Sequence, residues 1–344
     1  MQQLTLVRPD DWHVHFRDGD ALKGTVPHHA QRFGRAIVMP NLQPPVTTVA
    51  KARAYRQQIT DAIPAGSDFT PLMTLYLTQE TTPGEIERAK ESGLIYGVKL
   101  YPAGATTNSD AGVTDIFALI PTLQMMAEQE LPLLIHAEVT DPTVDVFDRE
   151  KIFLESVVKP LLGKVPDLKV VIEHVTTAEM ADFVIGAGDR VAATLTPQHL
   201  LYNRSDIFKG GIHPHLYCLP ILKREHHRER LCEIVAAGHK RFFLGTDSAP
   251  HSQMAKESAC GCAGIFSGPC AIEIYAEIFE SLGVLDKLEA FASFYGANFY
   301  KLPHNSGRIT LIKKPWSVPA SYLMDGKNKI IPLKAGETLH WQLA

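Results

Sequence analysis

Six side chains able to bind a metal or move a proton recur at one kind of place in this sequence, the end of a short apolar run. His13 and His15 lie in DWHVHFR, Lys99 in YGVKLYP, His136 in PLLIHAE, His174 in KVVIEH and Asp247 in RFFLGTDSAP. His13 and His15 are two apart, so on a strand both project from one face, as metal ligation from a single strand requires. A lone histidine at a strand end is more often a packed, hydrogen-bonded residue than a ligand, and His199 receives that reading. The set is different. Four imidazoles and a carboxylate gathered at one mouth are costly to bury unless a cation holds them together. Imidazole with carboxylate suits zinc or a neighbouring divalent metal, and the donors outnumber what one tetrahedral catalytic zinc with an open position uses. Two metal ions are implied. Lys99 does not fit that picture as it stands, because an ammonium has no lone pair and is repelled by dications.

Eight apolar runs carry these groups: Asp11–Arg17, Arg35–Asn41, Phe69–Thr78, Tyr96–Pro102, Pro132–Glu138, Lys169–His174, Arg190–His199 and Arg241–Pro250. Helical patterning fills most gaps between them, for example Val49–Ala62, Pro83–Ser92, Asp115–Glu130 and Asp148–Leu162. Eight strands alternating with helices predict a (β/α)8 TIM barrel, whose catalytic groups come from the carboxyl ends of different strands. A doubly wound open sheet would carry a glycine-rich phosphate turn after its first strand, and none follows Arg17. Residues 1–344 are therefore expected to form a single α/β domain. The expected additions are a decorated connection over Thr196–Arg230 and a carboxyl-terminal extension from about Leu302, which contains an extended run at Lys329–Leu333.

Composition narrows the partners. Lys+Arg 34 against Asp+Glu 38 gives a formal charge of −4, which argues against nucleic acid or an anionic membrane as the main partner. Five cysteines suit a reducing compartment better than a disulfide framework, and no apolar stretch is long enough to span a bilayer, so the expected location is the cytoplasm. Cys260 and Cys262 form one C-x-C without a second pair, read as buried small residues rather than a zinc site. The run KREHHRER, Lys223–Arg230, reads as a solvated helix.

The order of HxH on strand one, lysine on strand four, histidines on strands five and six and aspartate on strand eight resembles the binuclear amidohydrolase superfamily. The segments RPDDWHVHFRDGD, VMPNLQPPVTT, KLYPAGATTNSDAGVT, LTPQHL, HLYCLPILK and GTDSAPH with KESACGCAG resemble more closely its short, monofunctional bacterial dihydroorotases. Related hydantoinases and allantoinases place strands of a β-sandwich before HxH, and the dozen residues before His13 leave no room for that.

The resemblance implies a zinc-dependent enzyme that reversibly cyclises N-carbamoyl-L-aspartate to dihydroorotate in pyrimidine synthesis, acting as a homodimer. It implies two Zn2+ per subunit: His13, His15 and Asp247 on the more buried ion, His136 and His174 on the other, and Lys99 bridging them as a carbon dioxide carbamate. Asp247 is then also the general acid and base beside a bridging hydroxide. Arg17, two residues beyond His15, continues the same strand face and suits bidentate grip of a carboxylate; by resemblance Arg17, Asn41 and His251 hold the substrate carboxylate, while backbone groups at Leu219 and Ala263 read the ureide edge. Ala103–Thr114, rich in small polar residues, reads as a mobile loop. By resemblance it closes over substrate through Thr106 and Thr107. The competing readings are another cyclic-amide hydrolase of the superfamily, hydantoinase-like or allantoinase-like, which would not need a carboxylate clamp, and a non-catalytic scaffold, which would be expected to have lost ligands.

Overall fold

The computed structural model describes residues 2–344. Its centre is an eight-stranded parallel sheet: β2 (Asp10–Val14), β3 (Arg35–Val38), β4 (Thr70–Tyr76), β5 (Ile95–Leu100), β6 (Leu133–Ile135), β7 (Val170–Ile172), β8 (Val191–Leu195) and β9 (Phe242–Leu244), in that spatial order. The strand before it, β1 (Gln3–Val7), belongs to another sheet. The barrel closes where β2 meets β9: Asp247 N donates to His13 O at 2.9 Å and His15 N donates to Ser248 O at 3.0 Å. The Asp11 carboxylate reinforces this seam, accepting from Thr246 N at 2.9 Å, Thr246 Oγ1 at 2.6 Å and His29 Nε2 at 3.0 Å. The two ligand-bearing strands of widest sequence separation are thereby held in register.

Alternation sorts the apolar residues into two layers. Ile37, Leu72, Leu134, Val171, Ala192 and Phe243 fill the barrel interior with Trp12, which stacks on Tyr300 at 4.6 Å. Their strand neighbours Val38, Met73, Leu133, Ile172, Ala193 and Leu244 belong to the larger core beneath the helices. The helices start where their sequences supply caps: the Thr48 and Thr177 side chains accept from Lys51 N and Met180 N, and Pro83 opens the helix Pro83–Glu91. The expected helix over Asp148–Leu162 is a continuous run with a π-helical stretch at Leu154–Val158. Lys223–Arg230 contributes to the helix Glu225–Ala237.

The strands are shorter than the apolar runs, so most site residues lie just beyond the ladder. The tail forms β10 (Arg308–Ser317), β11 (Tyr322–Leu323), β12 (Lys329–Ile330) and β13 (Thr338–Leu343), and β10 pairs antiparallel with both β1 and β13. The extended run at Lys329–Leu333 forms only the short strand β12, while the main pairing joins residues near the two ends of the sequence. No helix among the described residues is long and apolar enough to cross a membrane. Cys260 is exposed and Cys262 half-buried, which corrects the expectation that both are buried.

Candidate active site

His136 follows from strict alternation, two positions along from Leu134 of β6, and Lys99 lies two along from Gly97, past a register irregularity in β5. His13 and His15 do not follow from alternation. Trp12 faces the barrel interior whereas Val14 and Phe16 pack outward, so the alternation slips at a register irregularity between Asp11 and Val14. That slip lets Trp12 fill the barrel below while His13 and His15 both reach the mouth. His174 and Asp247 reach it through left-handed backbone, at φ 42° and 45°. Such conformations are costly for residues other than glycine and gather at functional sites.

The donor atoms converge. One ligand atom each from His13, His15 and Asp247 lies within 4.8 Å of the others. Asp247 Oδ1 is 3.4 Å from His13 Nε2 and 3.2 Å from His15 Nε2, and the two imidazole nitrogens are 3.3 Å apart. The opposite ring nitrogens face acceptors: His13 Nδ1–H donates to Glu173 Oε2 at 2.7 Å, and His15 Nδ1–H donates to Asn41 Oδ1 at 2.8 Å. In neutral rings both Nε2 atoms therefore turn lone pairs toward one another and toward a carboxylate, an arrangement that a cation between them makes favourable. His136 Nε2–H donates to Glu138 Oε2 at 2.7 Å, which leaves its Nδ1 free. His174 lies 5.0 Å from His13 and 4.8 Å from His136 by ring centroids, and its Nδ1 is buried without a partner. Lys99 Nζ is likewise buried and unpartnered, 5.1 Å from the Tyr101 ring centre. These residues fit a pair of cations and a modified lysine.

Burial controls the protonation of these groups. It takes the imidazole of His15 down to about 4 and that of His174 well below its ordinary value, so both are neutral near pH 7, the form in which an imidazole can bind a metal. It also lowers Lys99 to about 8, against the opposing pull of Glu173 and Asp247.

Glu173 and Glu138 were not singled out from the sequence, although alternation from Val171 and His136 places both inside. Glu173 does more than orient His13. Thr194 Oγ1 donates to Glu173 Oε2 at 2.6 Å and accepts from His174 N at 2.7 Å, so one hydroxyl links His174 to the carboxylate that orients His13. His199 is buried with both nitrogens engaged, by Thr196 Oγ1 at 2.7 Å and Pro220 O at 2.9 Å, and is not part of the His13, His15 and Asp247 cluster. Tyr101 also lines the cavity, its hydroxyl buried and unpartnered.

Above this floor the cavity is bounded by Arg17, Asn41, Thr106, Thr107, Leu219 and Ala263. Arg17 does not continue the strand face. β2 ends at Val14 and Arg17 has φ 66°, so a left-handed turn aims the side chain, not alternation. Its Nε donates to Pro250 O at 2.9 Å and Nη2 lies 3.0 Å from His251 Nε2. Among the described residues no carboxylate lies at ion-pair distance from Arg17, and Asp20 is instead paired with Lys23. His251 Nε2 also lies 3.0 Å from Ala263 O, so one nitrogen faces a donor and an acceptor and can serve only one. The loop read as mobile is folded over the site: Asn41 Nδ2 donates to Thr107 O at 3.1 Å, and Asn108 Nδ2 donates to Asn41 O at 3.0 Å.

A barrel with this donor set at its carboxyl mouth defines a metal-dependent hydrolase, and the chain belongs to the amidohydrolase family, whose model it matches over residues 5–337. Within that family its full-length similarity is to dihydroorotases. The enzyme of that name from Laribacter hongkongensis is 59% identical over 345 residues, covering 100% of both chains. The crystal structure of the Campylobacter jejuni dihydroorotase superimposes with TM-score 0.91 at 37% identity, covering 99% of this chain and 97% of that one. The Saccharomyces cerevisiae dihydroorotase in complex with 5-fluoroorotic acid gives TM-score 0.90 at 34% identity, covering 100% and 99%.

Proposed function

We infer that the chain is a dihydroorotase, interconverting dihydroorotate and N-carbamoyl-L-aspartate. Beyond the likeness to its relatives, the observation that carries this substrate is the Arg17 guanidinium, turned into the cavity beside the His–Asp cluster without a carboxylate partner. A cyclic amide bearing a carboxylate fits that pairing of anion site and hydrolytic floor.

His13, His15 and Asp247 would hold one divalent ion and His136 with His174 a second, zinc by donor type. The Lys99 amine would add to carbon dioxide, forming an N–C bond with release of a proton, and so become an anionic bridging ligand. Bound there, the two ions would acidify water at neutral pH and polarise the scissile carbonyl. Asp247 takes the proton of the attacking water and delivers it to the ring nitrogen as the C–N bond breaks; ring closure reverses these transfers. Glu173, Asn41 and Glu138 hold the imidazoles of His13, His15 and His136 in the ligating orientation.

Arg17 grips the substrate carboxylate with His251 and with the second amide hydrogen of Asn41, the first being committed to Thr107 O. Backbone groups at Leu219 and Ala263 meet the ureide edge. Closure of the loop bearing Thr106 and Thr107 excludes water. Homodimeric assembly is proposed on the family resemblance, and cytoplasmic location on the free cysteines.

Comparison of dihydroorotate with dihydrouracil, the same ring without the carboxylate, tests this reading. The protein should favour dihydroorotate in kcat/KM by about a hundredfold or more, Arg17→Met should abolish most of that preference, and 5-fluoroorotate should bind competitively. Equal use of both rings would place the chain with the hydantoinase-like hydrolases instead.

A further inference from the structure

Lys256 is 2% exposed, at the end of the short helix Gln253–Lys256, and among the described residues it has no carboxylate at ion-pair distance. A lysine normally reaches its head to water or pairs it, so burying this one needs compensation. The ammonium is aimed at backbone: Nζ donates to Tyr217 O at 2.7 Å and to Cys262 O at 2.8 Å, and lies 5.6 Å from the Tyr217 ring centre. Tyr217 O also accepts from Gly264 N at 3.0 Å. Gly264, at φ +152°, is packed so closely that a Cβ there would meet Ala249 O at 2.4 Å.

One carbonyl therefore joins the long connection after β8 to the loop after β9, and one buried cation ties the second loop to it. Leu219 lies two residues beyond Tyr217 and Ala263 one beyond Cys262; both line the cavity. Ala263 O also lies 3.0 Å from His251 Nε2, so the clamp reaches the carboxylate-binding side too.

We propose that Lys256 is a positioning residue for substrate, fixing the spacing of the two backbone segments at Leu219 and Ala263 that face the ring. The proposal rests on the functional reading above. Lys256 touches neither the substrate nor the metal-binding residues, so its loss loosens ring recognition and leaves the hydrolytic floor intact. A lysine serving only stability would change melting temperature without changing recognition.

The test uses metal-loaded full-length protein. Wild-type turnover of dihydroorotate is measured first, which registers a failure of the functional reading separately. Lys256→Met should raise KM at least about tenfold and weaken 5-fluoroorotate binding, measured by calorimetry, by a similar factor. Its kcat should stay within about threefold and its metal content should equal that of wild type. Lys256→Gln, which retains a shorter donor, should fall between the two, and if the Met variant does not fold it decides instead, a KM more than about twofold above wild type supporting the proposal. KM and 5-fluoroorotate affinity within about twofold of wild type, even with a lowered melting temperature, would overturn the proposal.

Discussion

Replacing Thr194 by Val isolates the link between His174 and the carboxylate that orients His13. Thr194 is 0% exposed and its hydroxyl has two partners, donating to Glu173 Oε2 at 2.6 Å and accepting from His174 N at 2.7 Å. Valine has the same branched shape, so neither cavity nor clash results; only the hydrogen bonds are lost. A buried backbone N–H left unpaired costs about 1–3 kcal/mol, and the bond to a carboxylate contributes about 1.5–3 kcal/mol, giving about 3–5 kcal/mol with some relaxation. For a chain of this length, at about 2 °C per kcal/mol, the metal-free protein should melt about 6–10 °C lower. Glu173 then orients His13 with one fewer restraint, and metal affinity should fall by about 10–100-fold. Differential scanning calorimetry of the chelated protein and competition against a chromogenic chelator read the two effects. A melting point within about 1 °C of wild type, together with unchanged metal affinity, would refute the linkage.

The doubly substituted Thr106→Val, Thr107→Val protein should lose turnover severely while binding metal as wild type does; equal loss of metal would show that the closed loop is structural. Stability should fall between pH 7 and pH 5. Burial holds His199 at about 4 against an unfolded value near 6.5, so the unfolded chain takes up the proton first as pH falls. Stability present above pH 6.5 is then lost progressively toward pH 4, about 2 kcal/mol of it between pH 7 and pH 5 from His199 alone. His199→Gln should flatten that part of the melting-temperature profile, and an unchanged profile would count against the burial argument.

Alternation carries His136 inside the barrel from β6 and Lys99 from the regular part of β5 after Gly97, whereas Asp247 arrives through left-handed backbone at φ 45°. Alternation from Val171 also carries Glu173 inside, whereas the adjacent His174 arrives through φ 42°. The slip at Trp12 and the left-handed Arg17 depend on packing between distant segments, Trp12 against Tyr300 and Tyr55 Oη donating to Arg17 O at 2.6 Å. No local spacing encodes either. The pairing of β1 with β10 joins residues near opposite ends of the sequence; QLTL and RITL both alternate, but alternation does not say which strand pairs with which. The closed state of Ala103–Thr114 depends on two asparagine amides, a contact that composition rich in small polar residues does not reveal.

The central claim is that the His, Asp and Lys cluster holds two divalent ions for cyclisation and hydrolysis of this ring. It is tested most directly by measuring metal per subunit and interconversion of dihydroorotate and N-carbamoyl-L-aspartate on the same samples, as purified, chelated, and reloaded with zinc in bicarbonate. Wild type should bind two ions and lose and regain turnover with them, native mass spectrometry should show the added mass of one carbon dioxide, and Lys99→Ala should lose metal and turnover together. Metal-replete protein that leaves dihydroorotate untouched, or a Lys99→Ala protein with full activity, would contradict the account.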